Sequence, residues 1–395
     1  MIPKIILRRG KEESLRRYHP WVFSGAIERS EGDPREGDLV DVYGRNGEFL
    51  GRGHCQIGSI AVRILSFRQE EIDQSWWNGR IAGAYALRKA LGLAESADTT
   101  CYRLVHGEGD GLPGLVVDIY GRTAVIQCHS VGMYVVREQI AEALRTLYRE
   151  RLGAIYDKSS QTLPFNAGLD ASDEYLYGTD PGEEPVLEHG NRFLVSWESG
   201  QKTGFFIDQR ENRALVGRYA AGRTVLNTFC YTGGFSVYAL RGGALSVDSV
   251  DSSERAVALA ARNAELNFGT GASHRAIARD TFDFLRETPK DAYDLIILDP
   301  PAFAKHHKVL GNATQGYKRL NAAALNKIRP GGILFTFSCS QAVSRELFRT
   351  TVFSAAAISG RSVRILHQLT QPADHPINIY HPEGEYLKGL VLYVE

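Results

Sequence analysis

The chain has 395 residues, too many for a single hydrophobic core, so two or three domains are expected. Its 46 basic and 46 acidic side chains cancel, whereas most proteins that bind nucleic acids are basic. No apolar run approaches the roughly 18 residues of a membrane span, and no apolar signal segment opens the chain. These properties argue against a membrane protein and predict a cytoplasmic one.

The cysteines are odd in number and none forms a Cys-x-x-Cys pair: they are Cys55, Cys101, Cys128, Cys230 and Cys339. This pattern argues against a zinc site and against a disulfide framework. We therefore expect reduced thiols and no bound metal.

The first predicted domain, residues 1–72, combines short strands with a basic N-terminus. Turn signals separate predicted strands at 39–43, 48–53 and 60–67. The basic residues considered for RNA binding are Arg8, Arg9, Lys11, Arg16 and Arg17. The stretch His19-Pro20-Trp21-Val22-Phe23, followed by the glycine-punctuated strands, resembles a PUA domain, which is an RNA-binding module. The resemblance implies that this domain binds RNA.

The second predicted domain, residues 73–188, has a mixed α+β pattern. Helical periodicity covers residues 75–92 and 135–148, and a hairpin is predicted from 115–119 and 123–128. The glycine-rich stretch at 107–114 is predicted to be a turn, because no Gly-Lys-Ser/Thr follows to bind phosphate. The acidic stretch at 168–185 is predicted to be a linker or an exposed loop.

The third predicted domain, residues 189–395, alternates strands with helices, which is typical of a doubly wound α/β fold with a mostly parallel sheet. Strands are predicted at 224–229, 246–250, 274–278, 295–298, 333–337, 363–366 and 390–394. Helices are predicted at about 210–220, 234–241, 253–267, 281–286, 318–328 and 342–358.

A cofactor loop is predicted where the first of these strands runs through a glycine-containing turn into a helix, from Asn227 to Ser236. Gly-x-Gly-x-x-Gly, expected of a nicotinamide site, is absent. Asp251 ends the next strand, where a carboxylate can accept both ribose hydroxyls. Asp280 ends the third strand, within reach of an adenine amino group. Either aspartate could instead cap its following helix, but both at consecutive strand ends favour adenosine binding.

Two further signatures each follow a strand-like run: Asp299-Pro300-Pro301-Ala302-Phe303 and Ser338-Cys339-Ser340. Ligands of open parallel sheets bind outside the carboxyl ends of the strands, so both signatures can share one pocket. A thiol can add to the electron-poor C6 of a pyrimidine and so make C5 nucleophilic. Asp-Pro-Pro alone is also used to hold an exocyclic amine for methylation, and a lone cysteine at a strand end usually serves packing.

These motifs, with the strings from Lys202 to Arg210, from Ala373 to Pro376 and from Pro382 to Gly389, resemble the PUA-domain-containing 23S ribosomal RNA 5-methylcytosine methyltransferases. The resemblance covers essentially the whole chain. It implies S-adenosylmethionine (SAM) as cofactor and a seven-stranded class I methyltransferase sheet with an antiparallel last strand. The residues expected to bind SAM are Asp208, Gln209, Arg210, Asn227, Phe229, Tyr231, Gly233, Asp251, Ser252, Asp280 and Asp299. Without the family pattern, Asp208 and Arg210 would be interpreted as a surface ion pair.

The expected reaction is transfer of a methyl group to C5 of a cytosine in 23S ribosomal RNA, with Cys339 as nucleophile and Asp299 stabilising the charge on the ring. The target base must leave its stack to be reached. Lys305, Lys308 and Lys318 are expected to clamp RNA phosphates, or else to form a solvated charged loop. Neither His306 nor His307 has a third metal ligand nearby in sequence.

Three alternatives remain open at this stage. The chain could methylate guanine or an exocyclic amine of RNA, with Cys339 structural. It could be an NAD-dependent oxidoreductase, or a non-catalytic RNA-binding or assembly protein. The substrate could be naked RNA or a partly assembled large subunit, and a homodimer is compatible with the sequence.

Overall fold

The computed structural model describes residues 2–164, 168–303 and 310–395. The chain divides into two compact units. Unit 1 comprises Met1–Val186, Val195–Ile207 and Ala373–Gly384, and unit 2 comprises Leu187–Leu194, Asp208–Pro372 and Glu385–Glu395. The division of the chain at residues 72 and 188 stays a prediction.

Unit 1 begins with a six-stranded sheet in the order β2-β6-β5-β4-β1-β3. Its strands are β1 (Lys4–Leu7), β2 (Trp21–Phe23), β3 (Ile27–Glu31), β4 (Leu39–Tyr43), β5 (Phe49–Cys55) and β6 (Ile60–Ser66). The three predicted strands are confirmed to within two residues at each end. The sequence analysis did not predict β1, β2 and β3, which have only three to five residues each and little room for a periodic pattern.

A second sheet of unit 1 has the order β11-β10-β9-β8-β7. It contains β7 (Cys101–His106), β8 (Leu115–Tyr120), β9 (Thr123–Cys128), β10 (Ala154–Asp157) and β11 (Glu174–Tyr177). The helices of the unit are α1 (Glu13–Arg16), α2 (Gln74–Ala90), α3 (Val131–Val135) and α4 (Arg137–Tyr148). The prediction that residues 168–185 form only a linker or loop is wrong, because β11 lies within them. This edge strand has only four residues, too few for a periodic pattern, and it lies within an acidic stretch.

Unit 2 is built on a seven-stranded sheet in the order β16-β15-β14-β17-β18-β20-β19. Its strands are β14 (Thr224–Thr228), β15 (Ser246–Asp251), β16 (His274–Ala278), β17 (Tyr293–Leu298), β18 (Ile328–Ser338), β19 (Val363–Leu369) and β20 (Lys388–Val394). The last strand, β20, is antiparallel to both of its neighbours, as the family resemblance implied. A separate two-stranded sheet joins β12 (Val186–Glu188) to β13 (Asn191–Phe193).

The helices of unit 2 are α5 (Arg210–Tyr219), which precedes β14, and α6 (Gly234–Arg241), α7 (Glu254–Phe268), α8 (Thr281–Glu287), α9 (Leu310–Leu325) and α10 (Arg345–Ser359). Apolar side chains alternate between the two faces of the central strands, so the sheet has a core on each side. Leu226 and Ile296 belong to one core, and Val225, Ile297 and Phe335 to the other. Burial on both faces is the usual arrangement for a parallel sheet.

Several predicted boundaries in unit 2 were wrong. Helix α9 is Leu310–Leu325 rather than 318–328, α10 begins at Arg345 rather than at residue 342, and β18 begins at Ile328 rather than at residue 333. Pro330 and the two glycines after it indicate a turn in the sequence, yet the strand passes through them with an irregular register to β17. Tertiary pairing therefore overrides the local turn signal.

Strand order reverses between β14 and β17, because the chain leaves β14 for β15 and β16 and then returns to the other side. In doubly wound sheets the ligand binds at such a switch point, outside the carboxyl ends of the strands. The ends of β14, β15, β17 and β18 carry the residues singled out in the sequence.

Candidate active site

The loop after β14 has an unusual backbone. Phe229 and Tyr231 both have positive φ angles, 53° and 47°, which are costly for residues with bulky side chains, and Gly233 follows at 78°. The loop is held by Cys230, whose N–H donates to the Val250 carbonyl over 3.0 Å. Strained backbone of this kind persists where the surroundings impose it, and it is common at ligand sites.

Asp251, at the end of β15, accepts a hydrogen bond from the backbone of this loop. Its Oδ2 accepts the Tyr231 N–H over 3.0 Å, and its Oδ1 accepts the Ser253 N–H over 3.0 Å. A carboxylate oxygen has a second acceptor site, so both oxygens can still accept hydroxyl groups of a ribose. The helix cap at this position is Ser253 and not Asp251, so the capping alternative does not apply to Asp251. Ser252 is exposed beside it.

Asp280 does cap its helix. It is exposed, and its Oδ1 accepts the Asp283 N–H over 3.0 Å at the start of α8. The capping interpretation raised in the sequence analysis therefore accounts for this residue, and its contact with adenine stays a prediction.

Two buried oxygen atoms near these strand ends lack a hydrogen-bond donor among the described residues. Asn227 donates to the Ser236 hydroxyl over 2.8 Å, but its Oδ1 has no partner. Asp208 accepts the Tyr386 hydroxyl on Oδ2 over 2.7 Å, while its Oδ1 has no partner. An unsatisfied buried acceptor costs about 1–3 kcal/mol, so both atoms are suited to a ligand that brings donors. The amino and hydroxyl groups of SAM fit this requirement.

Asp299 follows β17 and is joined to the start of α5 through Gln209. The Gln209 side-chain amide donates to Asp299 Oδ1 over 3.0 Å, and Asn212 in turn donates to Gln209 Oε1 over 2.6 Å. Although Asp299 keeps some contact with solvent, burial of its carboxyl group and the nearby charge of Asp208 raise its pKa to about 7. Asp299 can therefore hold a proton near neutral pH.

Arg210 is not the surface residue that its position at a helix start suggested. Its side chain is 1% exposed, and its Nε lies 3.4 Å from Glu211 Oε1. The interpretation of Asp208 and Arg210 as a surface ion pair is therefore wrong, because the start of α5 is buried rather than exposed.

Cys339 follows β18 and is partly exposed. The serines on either side of it are buried and both contact Tyr317 of α9. The Ser338 hydroxyl donates to the Tyr317 hydroxyl over 3.0 Å, and Ser340 Oγ lies 3.3 Å from the same oxygen. The ring of Phe303, from the Asp-Pro-Pro signature, lies 4.7 Å from the Tyr317 ring. Tyr317 thus connects both signatures.

Cys230, in the loop after β14, is the other thiol that could act as a nucleophile at this edge of the sheet, but its environment differs from that of Cys339. Its side chain is 6% exposed, and burial followed by the charge of Asp251 raises its pKa. A buried thiol that resists ionisation is a poor nucleophile. The neighbouring strands β17 and β18 pair Leu298 with Thr336, so Asp299 and Cys339 emerge at the same edge of the sheet.

The sequence analysis did not assign roles to Tyr317, Asn212, Tyr386 and Lys388. Tyr386 and Lys388 lie in the C-terminal string that carried the family resemblance, so a signal for them existed. Tyr317 and Asn212 lie in ordinary helical patterns that do not distinguish them from other helix residues.

The predicted RNA-binding residues of unit 1 differ in their contacts. Arg16 is paired with Glu48 at 2.6 Å, Arg17 with Glu13 at 2.9 Å, and the Arg8 guanidinium donates to the Ile27 carbonyl. Arg9 and Lys11 are exposed, and neither has an ion pair among the described residues. Lys318 is half-buried on α9, while Lys305 and Lys308 lie outside the described residues.

A group of three side chains in unit 1, His19, His381 and Glu383, brings its ligand atoms within 4.8 Å of one another. His19 Nδ1 accepts the Trp21 N–H over 3.2 Å, so the proton of a neutral ring resides on Nε2. A protonated Nε2 cannot bind a metal, and Glu383 Oε1 lies 3.6 Å from it, too far for a hydrogen bond. In this tautomer His19 is therefore not a metal ligand, and neither ring nitrogen of His381 has a hydrogen-bond partner among the described residues.

Over the described ranges, no helix is long and apolar enough to cross a lipid bilayer.

Comparison with known proteins identifies relatives of both parts of the chain. A family described as S-adenosylmethionine-dependent methyltransferase matches residues 102–384, and a PUA-like domain matches residues 5–67. Ribosomal RNA large subunit methyltransferase I of Aeromonas hydrophila is 43% identical over 398 residues, covering 99% of each chain.

Two solved structures cover the whole of both chains at 26% identity and a TM-score of 0.84. One is a SAM-dependent methyltransferase from Streptococcus mutans, and the other is a methyltransferase in complex with SAH, the demethylated form of SAM. The strained loop, the buried acceptor oxygens without donors among the described residues, and these relatives all point to a SAM-binding site. The chain belongs to the SAM-dependent methyltransferases, in the family of ribosomal RNA large subunit methyltransferase I, and uses SAM as its cofactor.

Proposed function

We propose that the protein methylates C5 of a cytosine in large-subunit (23S) ribosomal RNA through a covalent adduct between Cys339 and C6 of the base. The observation that carries this proposal is the partly exposed Cys339 at the end of β18, beside Asp299 at the end of the adjacent strand. Methylation of a ring carbon needs covalent activation, whereas methylation of an amine does not. The RNA class follows from the name of the 43% identical relative.

The proposed reaction consists of addition of the thiolate to the base, methylation of C5 and elimination of the thiolate. The thiolate of Cys339 forms a bond to C6, and the ring electrons move toward C5 and N3. Asp299, protonated through its raised pKa of about 7, donates a proton or a hydrogen bond to the ring and so stabilises the developing charge. C5 then takes the methyl group that bound SAM would supply, with S-adenosylhomocysteine as the leaving group. A base removes the C5 proton, any proton taken from Asp299 returns to it, and the sulfur leaves as a thiolate while C5 and C6 recover their double bond.

The protein residues proposed to hold SAM are those with unfilled acceptors. Asp251 faces the ribose hydroxyls, while Asn227 and Asp208 offer the buried oxygens described above. When bound, SAM supplies an electrophilic methyl group. The remaining predicted contacts, from Gln209, Arg210, Phe229, Tyr231, Gly233, Ser252 and Asp280, belong to the same proposal.

RNA binding is proposed for unit 1, and its surface offers two kinds of contact. Arg9 and Lys11 are exposed cations available to phosphates. Tyr18 and Tyr380 are about half exposed, and their rings lie 5.3 Å apart. Exposed aromatic rings stack on unpaired bases, which a flipped target in a loop would provide. Action on ribosomal RNA would place the protein in the cytoplasm.

A trapping experiment tests the covalent step. RNA carrying 5-fluorocytosine at the target should form a stable adduct, because fluorine cannot leave as a proton does. The adduct should form with the wild type and with Cys230→Ala, which serves as the matched control, and should not form with Cys339→Ala.

Binding of SAM, measured by calorimetry, should remain in all three proteins, since the thiol acts on the base. Methylation that persists in Cys339→Ala would contradict the adduct. It would favour methylation of guanine or an exocyclic amine, for which Asp-Pro-Pro suffices.

A further inference from the structure

Lys388 is the first residue of β20, and it is buried in a strand that is otherwise apolar. Its residue surface is only 4% exposed, and the strand continues as Gly-Leu-Val-Leu-Tyr-Val. Lysine is seldom fully buried unless its charge has partners, because removing an ammonium group from water is costly. The position therefore calls for a reason beyond packing.

The contacts of Lys388 place its ammonium group next to the cysteine loop. Its Nζ donates to the Ser340 carbonyl over 2.5 Å and to the Tyr386 carbonyl over 2.7 Å. An ammonium group has three N–H donors, so these two bonds leave one for a further acceptor. Lys388 also pairs with Ser338 in the register between β18 and β20. The ammonium group thus contacts the residue that follows Cys339, and the Lys388 backbone pairs with that of the residue that precedes Cys339.

Several charged and titratable groups influence Lys388 and the cysteine loop. Burial lowers the pKa of Lys388 to about 8, and the charge of Cys339 and then that of Glu385 oppose this effect, while Arg345 at the start of α10 adds to it. On the other side of the loop, the Tyr317 hydroxyl from α9 interacts with Cys339. Among the described residues, Lys388 is thus a cation whose charge couples to the thiol.

We propose that the ammonium group of Lys388 stabilises the thiolate of Cys339, and that Lys388 is a positioning residue for methyl transfer. The inference rests on the proposed role of Cys339 as nucleophile. A nearby cation lowers the pKa of a thiol and raises the fraction of thiolate present at neutral pH. The thiol proton passes to solvent before addition to C6, and Lys388 keeps its own proton throughout. When the adduct breaks down, the same charge stabilises the departing thiolate.

The test measures the thiol itself and not only the methylation rate. The full-length protein is treated with iodoacetamide at a series of pH values, and modification of the Cys339 peptide is followed by mass spectrometry. In the wild type, the midpoint of the rate profile should lie below the ordinary thiol value of about 8.5. In Lys388→Met the midpoint should rise by about one pH unit, with alkylation about tenfold slower at pH 7 and an equal rate at pH 10.

Two further variants separate charge from hydrogen bonding. Lys388→Gln keeps a donor for the carbonyls but lacks the charge, so its midpoint should match that of Lys388→Met. Lys388→Arg keeps the charge and should return the midpoint toward the wild-type value. Calorimetry with SAM reports whether each variant is folded.

The proposal is overturned if Lys388→Met or Lys388→Gln shows the wild-type midpoint, even where methylation falls. A wild-type midpoint at or above about 8.5 also overturns it, and this measurement needs no variant at all. Failure of the proposed function would look different: Cys339→Ala would remain active whatever the alkylation profile of the wild type.

Discussion

Asp299→Asn is expected to make unit 2 more stable at pH 8 than the wild type. The folded protein holds the Asp299 proton up to a pKa of about 7, against an ordinary value of 3.8. A group whose pKa is raised by folding contributes stability below its unfolded pKa, and this is lost as the pH rises through the folded pKa. At about 1.4 kcal/mol per pH unit, the loss reaches about 4 kcal/mol at pH 8. Asparagine does not ionise and avoids this loss, while its side-chain oxygen can still accept from Gln209.

The assay must report on unit 2 alone, because all four tryptophans, Trp21, Trp76, Trp77 and Trp197, lie in unit 1. Urea unfolding followed by pulsed hydrogen exchange and mass spectrometry on peptides from β14 and β17 meets this need. The stability gained by Asp299→Asn over the wild type should grow by about 3 kcal/mol between pH 5 and pH 8.

Asp294, at the other end of β17, is the matched control. Burial raises its pKa, but this is outweighed by hydrogen bonds from Thr224 and by Arg329, so its pKa is lowered overall. Asp294→Asn should therefore destabilise unit 2 at pH 8, with an effect that shrinks as the pH falls below 3.8. If Asp299→Asn showed no pH-dependent gain, or one of the same sign as Asp294→Asn, the argument from burial of Asp299 would be refuted.

Three other outcomes are expected. Asp251→Ala should weaken SAM binding by about 1.5–3 kcal/mol, or roughly ten- to hundredfold, by removing a charged acceptor; unchanged calorimetric affinity would reject the ribose contact. Tyr317→Phe leaves two buried serine hydroxyls without their partner and should slow methylation about tenfold while SAM affinity stays within about twofold; equal losses in both would mean a general packing defect. Replacing Arg9 and Lys11 by alanine should make the slope of log RNA affinity against log salt concentration shallower by about one unit per residue. An unchanged slope would mean that these two residues do not contact RNA phosphates.

Much of unit 2 could be predicted from the sequence because its signals are local and repeated. Central strands that are buried on both faces appear as apolar runs, and the residues that follow them stand out by contrast, as Asp251 and Asp299 did. Pattern and geometry agree there because the carboxyl ends of parallel strands share one edge. The same logic is less decisive at Asp280, because its position at a strand end is equally well explained by the helix cap that it forms, and its contact with adenine stays a prediction.

The parts that escaped prediction depend on contacts between residues distant in sequence. Tyr317 contacts the cysteine loop from helix α9. Lys388 contacts the same loop from the antiparallel strand β20, 48 residues after Ser340. Neither contact has a periodic or spacing signature. The edge strand β11 was missed for a different reason, since its four residues are too few to show a strand pattern within an acidic stretch.

The two ends of β17 differ in a way that supports the location of the site. At its start, Asp294 is fully engaged, accepting from Thr224 and pairing with Arg329 at 3.0 Å. At its end, burial and the charge of Asp208 raise the pKa of Asp299 to about 7, and Asp208 Oδ1 has no hydrogen-bond donor among the described residues. The strained backbone at Phe229 lies at the same edge. Costs to folding are therefore present at the ends of β14 and β17, and a ligand with donors can recover part of that free energy on binding.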